Sequence, residues 1–379
     1  MRAYLWPEYV VWETTLACNM NCLHCGSRAG YARQDELNTT EAFSLIDQLL
    51  ELGAQRVILS GGETLLRPDW FLLASRLLEG GAQVGIISNG ILIHRPHDVF
   101  EKLLDLQREY GMVTVGISID GLKDTHERIR GKKDGFRIAL EAVDMLLTHD
   151  FPVVVLTTVN CQNLPELRRL RDEVIFPRRL FAWQVQTTNK YGRMEEHTDW
   201  FLTPEEYVEL CALLVETRRL RPETPRTDPA DCIGYFSPLE RDLRTQPWRG
   251  CQAGLRVLGI QSNGNIKGCL SLLDDCFVDG NIRHESLREI WDRPGGFAYN
   301  REFTPDQLTG MCAGCEHGRR CAAGCRAVAH SVTGTMYRAP YCLHGFFENQ
   351  VVSLDASAVS AVFPAYPSSE SYVSEGEIS

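Results

Sequence analysis

Three cysteines close together near the start, Cys18, Cys22 and Cys25, constrain this chain more than any other feature. They form a C-x3-C-x2-C loop just after an apolar, strand-like run, VVWETTL. Soft thiolates in such a cluster suit soft iron and point to an iron–sulfur centre. Three protein ligands are one short of the four usual for a [4Fe–4S] cluster. One iron is then left for a substrate or cofactor. Zinc is the competing reading of any cysteine group. The tripeptide Gly61-Gly62-Glu63, placed after the next strand-like run, weighs against it.

The context agrees. Met1–Tyr9 is short and mixed, without a secretory n- and h-region, and no run nears the roughly 18 apolar residues a bilayer demands. A cytoplasmic location is expected, and there 14 cysteines favour metal or redox clusters over disulfides. With 379 residues, 44% hydrophobic, and a mean hydropathy of −0.20, the chain has material for one large domain and a smaller one. The net charge of −11 argues against a nucleic-acid surface.

From residue 9 to about 218, strand and helix signals alternate. Strands are expected at VVWETTL, Arg56–Ser60, Gln83–Ser88, Val113–Ile119, Val153–Val159 and Phe181–Gln186. Asn38 with Glu41 reads as a capping box, followed by apolar positions 42, 45, 46, 49 and 50 at helical spacing. Further helices are expected over 69–79, 98–109 and 135–148, after Asn163-Leu164-Pro165, and from Thr203-Pro204-Glu205-Glu206. Six strands with crossover helices imply a parallel α/β sheet whose functional groups gather at the strands' carboxyl ends.

The cysteine spacing followed by Gly-Gly-Glu closely resembles the radical S-adenosylmethionine (SAM) enzymes. That resemblance implies a (β/α)6 partial TIM barrel holding a [4Fe–4S] cluster on Cys18, Cys22 and Cys25, whose open iron binds SAM. Reduction then yields methionine and a 5′-deoxyadenosyl radical that abstracts a substrate hydrogen. Two positions depart from the commoner pattern: His24 replaces an aromatic residue, and Thr64 replaces a proline. The same resemblance points to Gly62, Glu63, Ser88, Asn89, Ser118 and Asp120 as SAM contacts. Arg130, or Arg128 beside it, is expected to pair with the SAM carboxylate, since a guanidinium fork suits a carboxylate. Cys161, just past the fifth strand, is a weak candidate for a catalytic hydrogen-atom donor; a lone cysteine is more often apolar filler.

Beyond residue 219 the alternation stops, and residues 219–250 read as a linker. Over 251–347 the pattern is Cys251-x12-Gly264-x4-Cys269, a gap, then Cys312-x2-Cys315-x5-Cys321-x3-Cys325-x16-Cys342. This resembles the seven-cysteine SPASM extension of one radical SAM branch, and implies a small α+β domain with two auxiliary clusters, of [4Fe–4S] type. Cys251, Cys269 and Cys325 would hold the first, with Cys232, Cys276 or an open iron at the fourth position. Cys312, Cys315, Cys321 and Cys342 would hold the second. Gly264 suits a hairpin turn, 285–299 resembles the helix joining the two halves, and 348–379 ends in a Ser/Glu/Tyr-rich stretch expected to be a mobile tail.

SPASM enzymes typically modify peptides. The expected function is therefore maturation of a ribosomally made peptide by cross-linking, epimerisation or oxidation. The runner-up is modification of a small molecule or tetrapyrrole such as a haem precursor. A non-catalytic iron–sulfur or zinc module is the reading from another class. Leu270, where the sulfatase-maturing branch carries an acidic base, disfavours formylglycine formation. Expected partners are the precursor peptide, recognised through a separate leader-recognition protein or by direct barrel contacts since the triad starts at residue 18, and a reductant such as flavodoxin or ferredoxin. Neither membrane nor nucleic acid is expected.

Overall fold

A computed structural model describes residues 6–94, 98–221, 225–237, 239–246 and 248–348. The expected mobile tail falls almost wholly outside them.

The strands are β1 (Tyr9–Thr15), β2 (Arg56–Gly61), β3 (Gln83–Ser88), β4 (Val113–Ser118), β5 (Val153–Val159) and β6 (Ala182–Thr187). They pair in parallel and in chain order. Val113, Val115 and Ile117, which share one face of β4, are fully buried, while Thr114 and Ser118 on the other are only partly so. The covering helices include α1 (Thr39–Glu51), α2 (Trp70–Glu79), α3 (Asp98–Tyr110), α4 (Lys123–Arg130), α5 (Gly135–Thr148) and α6 (Pro204–Leu220). On α1 the stripe Ala42, Leu45, Ile46 and Leu49 is buried. Its first turn is closed by the reciprocal Asn38–Glu41 box, at 3.0 and 2.9 Å. Thr203 and Glu206 do the same for α6.

Four places differ from the expectation. First, the sheet has ten strands, not six. The stretch read as a linker contains β7 (Arg226–Pro229), parallel to β6. Second, β8 (Val257–Ile260) pairs in parallel with the other edge of β1, and β9 (Asn265–Lys267) and β10 (Gly280–Asn281) follow as an antiparallel meander. The late cysteine-bearing segment thus extends the barrel sheet. Gly264, at φ +87°, makes the β8–β9 turn. Third, no regular helix follows Asn163: a 3-10 turn, one α turn and a π turn succeed one another from Leu164 to Ile175. The Asn163 amide is spent on the carbonyls of Asp120 (2.6 Å) and Thr158 (2.9 Å), so it does not cap. Fourth, the joining helix in 285–299 is short, α7 (Leu287–Asp292). Next come α8 (Gly318–Cys321) and α9 (Arg326–Thr333).

Candidate active site

At the carboxyl ends of the strands lies a cavity of about 420 Å³. Its walls include Cys18, Cys22 and Cys25 on one side and Cys232, Cys251, Cys269 and Cys325 on the other. The loop after β1 carries the first three. Cys18 N–H donates to Gly30 (3.0 Å), and Leu23 N–H to Ile129 (2.8 Å). The segment after β6 clamps this loop. Arg193 Nε donates to the carbonyl of Cys22 (2.7 Å), its Nη1 to that of Ala29 (3.0 Å), and its backbone N–H to that of Cys25 (3.0 Å). Gly192 lies so close that a Cβ there would stand 2.2 Å from the carbonyl oxygen of Gly26. The same holds for Gly62, whose Cβ would stand 2.2 Å from the carbonyl oxygen of Ala17. Only glycine lets the second strand's end approach the cysteine loop so closely.

Burial pushes the Cys18 thiol up to about 11, and it pushes Cys22 up as well. Glu63 and the neighbouring cysteines raise Cys18 further. Three thiolates here would repel one another in a poorly hydrated wall, and a bound cationic centre removes that cost. Among the described residues, only Glu316, His317 and His344 bring three ligand atoms within 4.8 Å of one another. The cysteine groups are spread wider. Tetrahedral zinc needs sulfurs roughly 3.8 Å apart, given bonds of about 2.3 Å. A single zinc would need the cysteines closer together than they stand.

Of the strand-end residues expected to contact SAM, Gly62, Ser88, Asn89, Ser118 and Arg130 line the cavity. Two do not. Asp120 is fully buried beneath the wall, where its carboxylate takes Arg130 Nε (2.7 Å), His24 Nε2 (3.0 Å) and the Thr158 N–H (2.9 Å). Burial would raise its carboxyl, but Arg130 and His24 outweigh that and hold it well below the carboxylate range. Asp120 therefore positions His24 and Arg130, which do line the cavity. Glu63 is likewise buried, turned to the Asn89 N–H (2.9 Å), and burial lifts it to about 7. Arg128 points away, to Gln162 (2.7 Å). Cys161 is absent from the cavity wall. It packs with Leu23, Ile129, Met194 and Trp200, and its thiol donates to the Asp199 carbonyl.

Three buried polar atoms on the wall have no hydrogen-bond partner: His24 Nδ1, Thr187 Oγ1 and Asn189 Oδ1. Buried polar groups are normally satisfied. Together they fit a polar ligand such as SAM. Sequence reasoning missed Thr187, Asn189, Arg193 and Asp231, although their position just past β6 and β7 is where a parallel sheet puts its functional groups.

On the far wall, Cys232 joins Cys251, Cys269 and Cys325, while Cys276 is exposed and outside the cavity. Burial drives the Cys325 thiol strongly up, with Cys251, Cys232 and Cys269 adding to it. Cys312, Cys315, Cys321 and Cys342 surround a separate space of about 20 Å³. Tyr235 stands between the two groups. It packs against Cys321, and its hydroxyl accepts from Cys325 N–H (3.1 Å) and donates to the Asp231 carbonyl (2.9 Å).

A family model for the radical SAM superfamily matches residues 12–173, and one for the SPASM iron–sulfur cluster-binding domain matches 251–316. The AdoMet-dependent heme synthase of Methanosarcina barkeri is 31% identical over 356 residues, 89% of this chain and 97% of that protein. Mycofactocin maturase MftC of Mycobacterium tuberculosis is 28% identical over 90% of this chain and 84% of its own. Streptococcus suis SuiB, bound to its precursor peptide SuiA, superposes with a TM-score of 0.67 at 16% identity, over 88% of this chain and 75% of SuiB. At that identity the likeness speaks to the fold alone. No helix among the described residues is long and apolar enough to cross a membrane.

Proposed function

The chain belongs to the radical SAM superfamily and carries a SPASM domain, and from this we propose that it oxidises a tetrapyrrole related to the haem precursors by abstracting a hydrogen atom from it. One observation carries the oxidative part: a single cavity has both the Cys18/Cys22/Cys25 triad and the Cys232/Cys251/Cys269/Cys325 group on its walls. A [4Fe–4S] cluster on the triad with SAM on its open iron supplies, once reduced, a primary carbon radical able to take hydrogen from carbon. The chain's own residues do the rest. Arg193 and Gly192 fix the triad loop, while Gly62, Ser88, Asn89 and Ser118 offer the polar wall against which SAM lies. Arg130, held by Asp120, offers its guanidinium to a carboxylate. The far cysteines would hold an auxiliary cluster within reach of the electron left on the product, and Cys312, Cys315, Cys321 and Cys342 a second.

A cavity of about 420 Å³ is small for SAM and a whole second ligand together. The substrate therefore inserts one limb from outside. A propionate-bearing macrocycle edge meets that demand, and the identity to the heme synthase supports it. A peptide side chain meets it too. The peptide reading set out from the sequence stays as the second, supported by the identity to the mycofactocin maturase.

The test is anaerobic turnover of the reconstituted protein with dithionite and SAM, offered iron coproporphyrin or candidate precursor peptides deuterated at the reacting carbons. Deuterium entering 5′-deoxyadenosine from the porphyrin supports the first reading. Transfer only from peptide supports the second. No SAM cleavage at all overturns both.

A further inference from the structure

The arginines around the third cysteine group serve nothing described so far. Between Gly310 and Gly345 stand Arg319, Arg320, Arg326 and Arg338 against one acidic residue, Glu316, in a chain of net charge −11. Arg326 is buried and spent on Asn300 (2.8 Å) and the Met336 carbonyl (2.6 Å). Arg319, Arg320 and Arg338 are exposed, and among the described residues none has a carboxylate partner. Exposed arginines without a carboxylate partner among the described residues also occur at Arg128, Arg179, Arg221 and Arg241, but those are scattered along the chain, whereas these stand around one cysteine group.

The three lie around the cysteines. Arg319 and Arg320 sit on α8 between Cys315 and Cys321. Arg320 covers the Phe236 ring (5.6 Å), which stacks on His317 (4.8 Å), and His317 meets His344 (4.7 Å). Both histidines line the cysteine pocket. Arg338 packs on Gly310 and precedes Ala339, whose N–H donates to Cys312 Sγ (3.4 Å). The exposed Arg249 precedes Gly250, whose backbone lies against the Arg320 carbonyl. The acidic side chains nearby are the exposed Glu316 and Glu348.

Four cysteines around one pocket would ligate every iron of a four-iron cluster, so the site exchanges electrons, not ligands. Unpaired like charges repel, and a cationic patch on an acidic protein steers an oppositely charged partner. We infer that Arg249, Arg319, Arg320 and Arg338 form the docking face for an acidic one-electron carrier protein. The inference rests on the functional reading above, in which Cys312, Cys315, Cys321 and Cys342 hold a cluster. In the encounter the carrier loses one electron and that cluster gains it, with no bond made and no proton moved.

The test uses the anaerobic holoprotein with a reduced, acidic bacterial flavodoxin as probe. Two readouts are taken: the binding curve, and bleaching of the visible absorption. Binding is expected to weaken as salt rises from roughly 50 to roughly 200 mM, where the screening length shortens. R319E/R320E/R338E is expected to weaken low-salt binding and slow flavodoxin-driven bleaching by about ten- to a hundredfold, with dithionite bleaching both proteins alike. R319Q/R320Q carries the test, with a smaller loss, should the reversal lose its visible spectrum. Unchanged binding and bleaching in the variants, or binding indifferent to salt, overturns the inference. Absence of 5′-deoxyadenosine from the wild type with dithionite and SAM would instead strike the functional reading, leaving the binding curve to decide the docking face.

Discussion

The two cysteine-lined spaces of this molecule differ by a factor of about twenty in volume, about 420 against about 20 Å³. The larger is framed by strand ends and short polar side chains, three of them with unpartnered atoms. The smaller is packed by Tyr235, Phe236, Met311 and His317. Both are built from cysteines whose thiols burial has raised. The difference lies in what else is allowed in. Open, polar space at the carboxyl ends of parallel strands is where chemistry on a ligand is done. A pocket ringed by four cysteines beneath a charged surface suits a centre that only passes charge.

The sharpest way to break this contrast is to remove one cysteine from each space. Cys22→Ala is expected to abolish 5′-deoxyadenosine formation outright. Cys315→Ala is expected to keep dithionite-driven SAM cleavage while losing part of the visible absorption. Chromatography of the nucleoside and the absorption spectrum decide, and equal losses in both variants would erase the distinction.

A second probe is the support beneath the larger space. Asp120→Ala strands the buried Arg130, and breaking a buried pair costs roughly 3–5 kcal/mol. Denaturant unfolding is expected to show it, together with a raised KM for SAM.

The third uses pH. Glu63 titrates at about 7 in the folded protein, against 4.5 when unperturbed. Below about 4.5 both states hold the proton. As pH rises toward 7 the unfolded chain releases it first, so stability falls across that window and levels off above it. By linkage the fall is about 3 kcal/mol. Glu63→Gln is expected to flatten the stability profile between about pH 5 and about pH 8, and an unchanged slope would refute this.

Smaller effects sharpen the boundary. Tyr235→Phe removes the hydroxyl that ties Cys325 to Asp231, and leaves a buried N–H without its acceptor. The expected loss is about 1–3 kcal/mol, read as earlier thermal bleaching of the far group. Cys161→Ser lies outside both spaces and is expected to change stability by less than about 1 kcal/mol, with turnover intact.

Local patterns carried much of this organisation. The triad, the Gly-Gly-Glu turn, six strands and the capping boxes at Asn38 and Thr203 are contiguous signals, each legible within a few residues. Pairings distant in sequence were not. β7 is only Arg-Thr-Asp-Pro, with neither alternation nor β-branched enrichment beyond one threonine. β8 gains its place by lying beside β1, with Tyr9 opposite Val257. Asp120 ended a strand, as a ligand-binding residue would. Only the fold reveals that His24 and Arg130 converge on its carboxylate from above, turning it from contact into foundation. Thr187 and Asn189 gave no local sign, because their distinction is a missing partner in three dimensions.

The pairing of β1 with β8 also bears on how such a protein is made. The triad leaves the ribosome early, but Cys325 and Val328, which complete the far wall, come some 300 residues later. Throughout that interval the nascent thiols stand with one side of their chamber still unwritten. Metallation before synthesis ends would leave the metal open to oxygen, so a productive order has the last third of the polypeptide fold before, or along with, iron delivery.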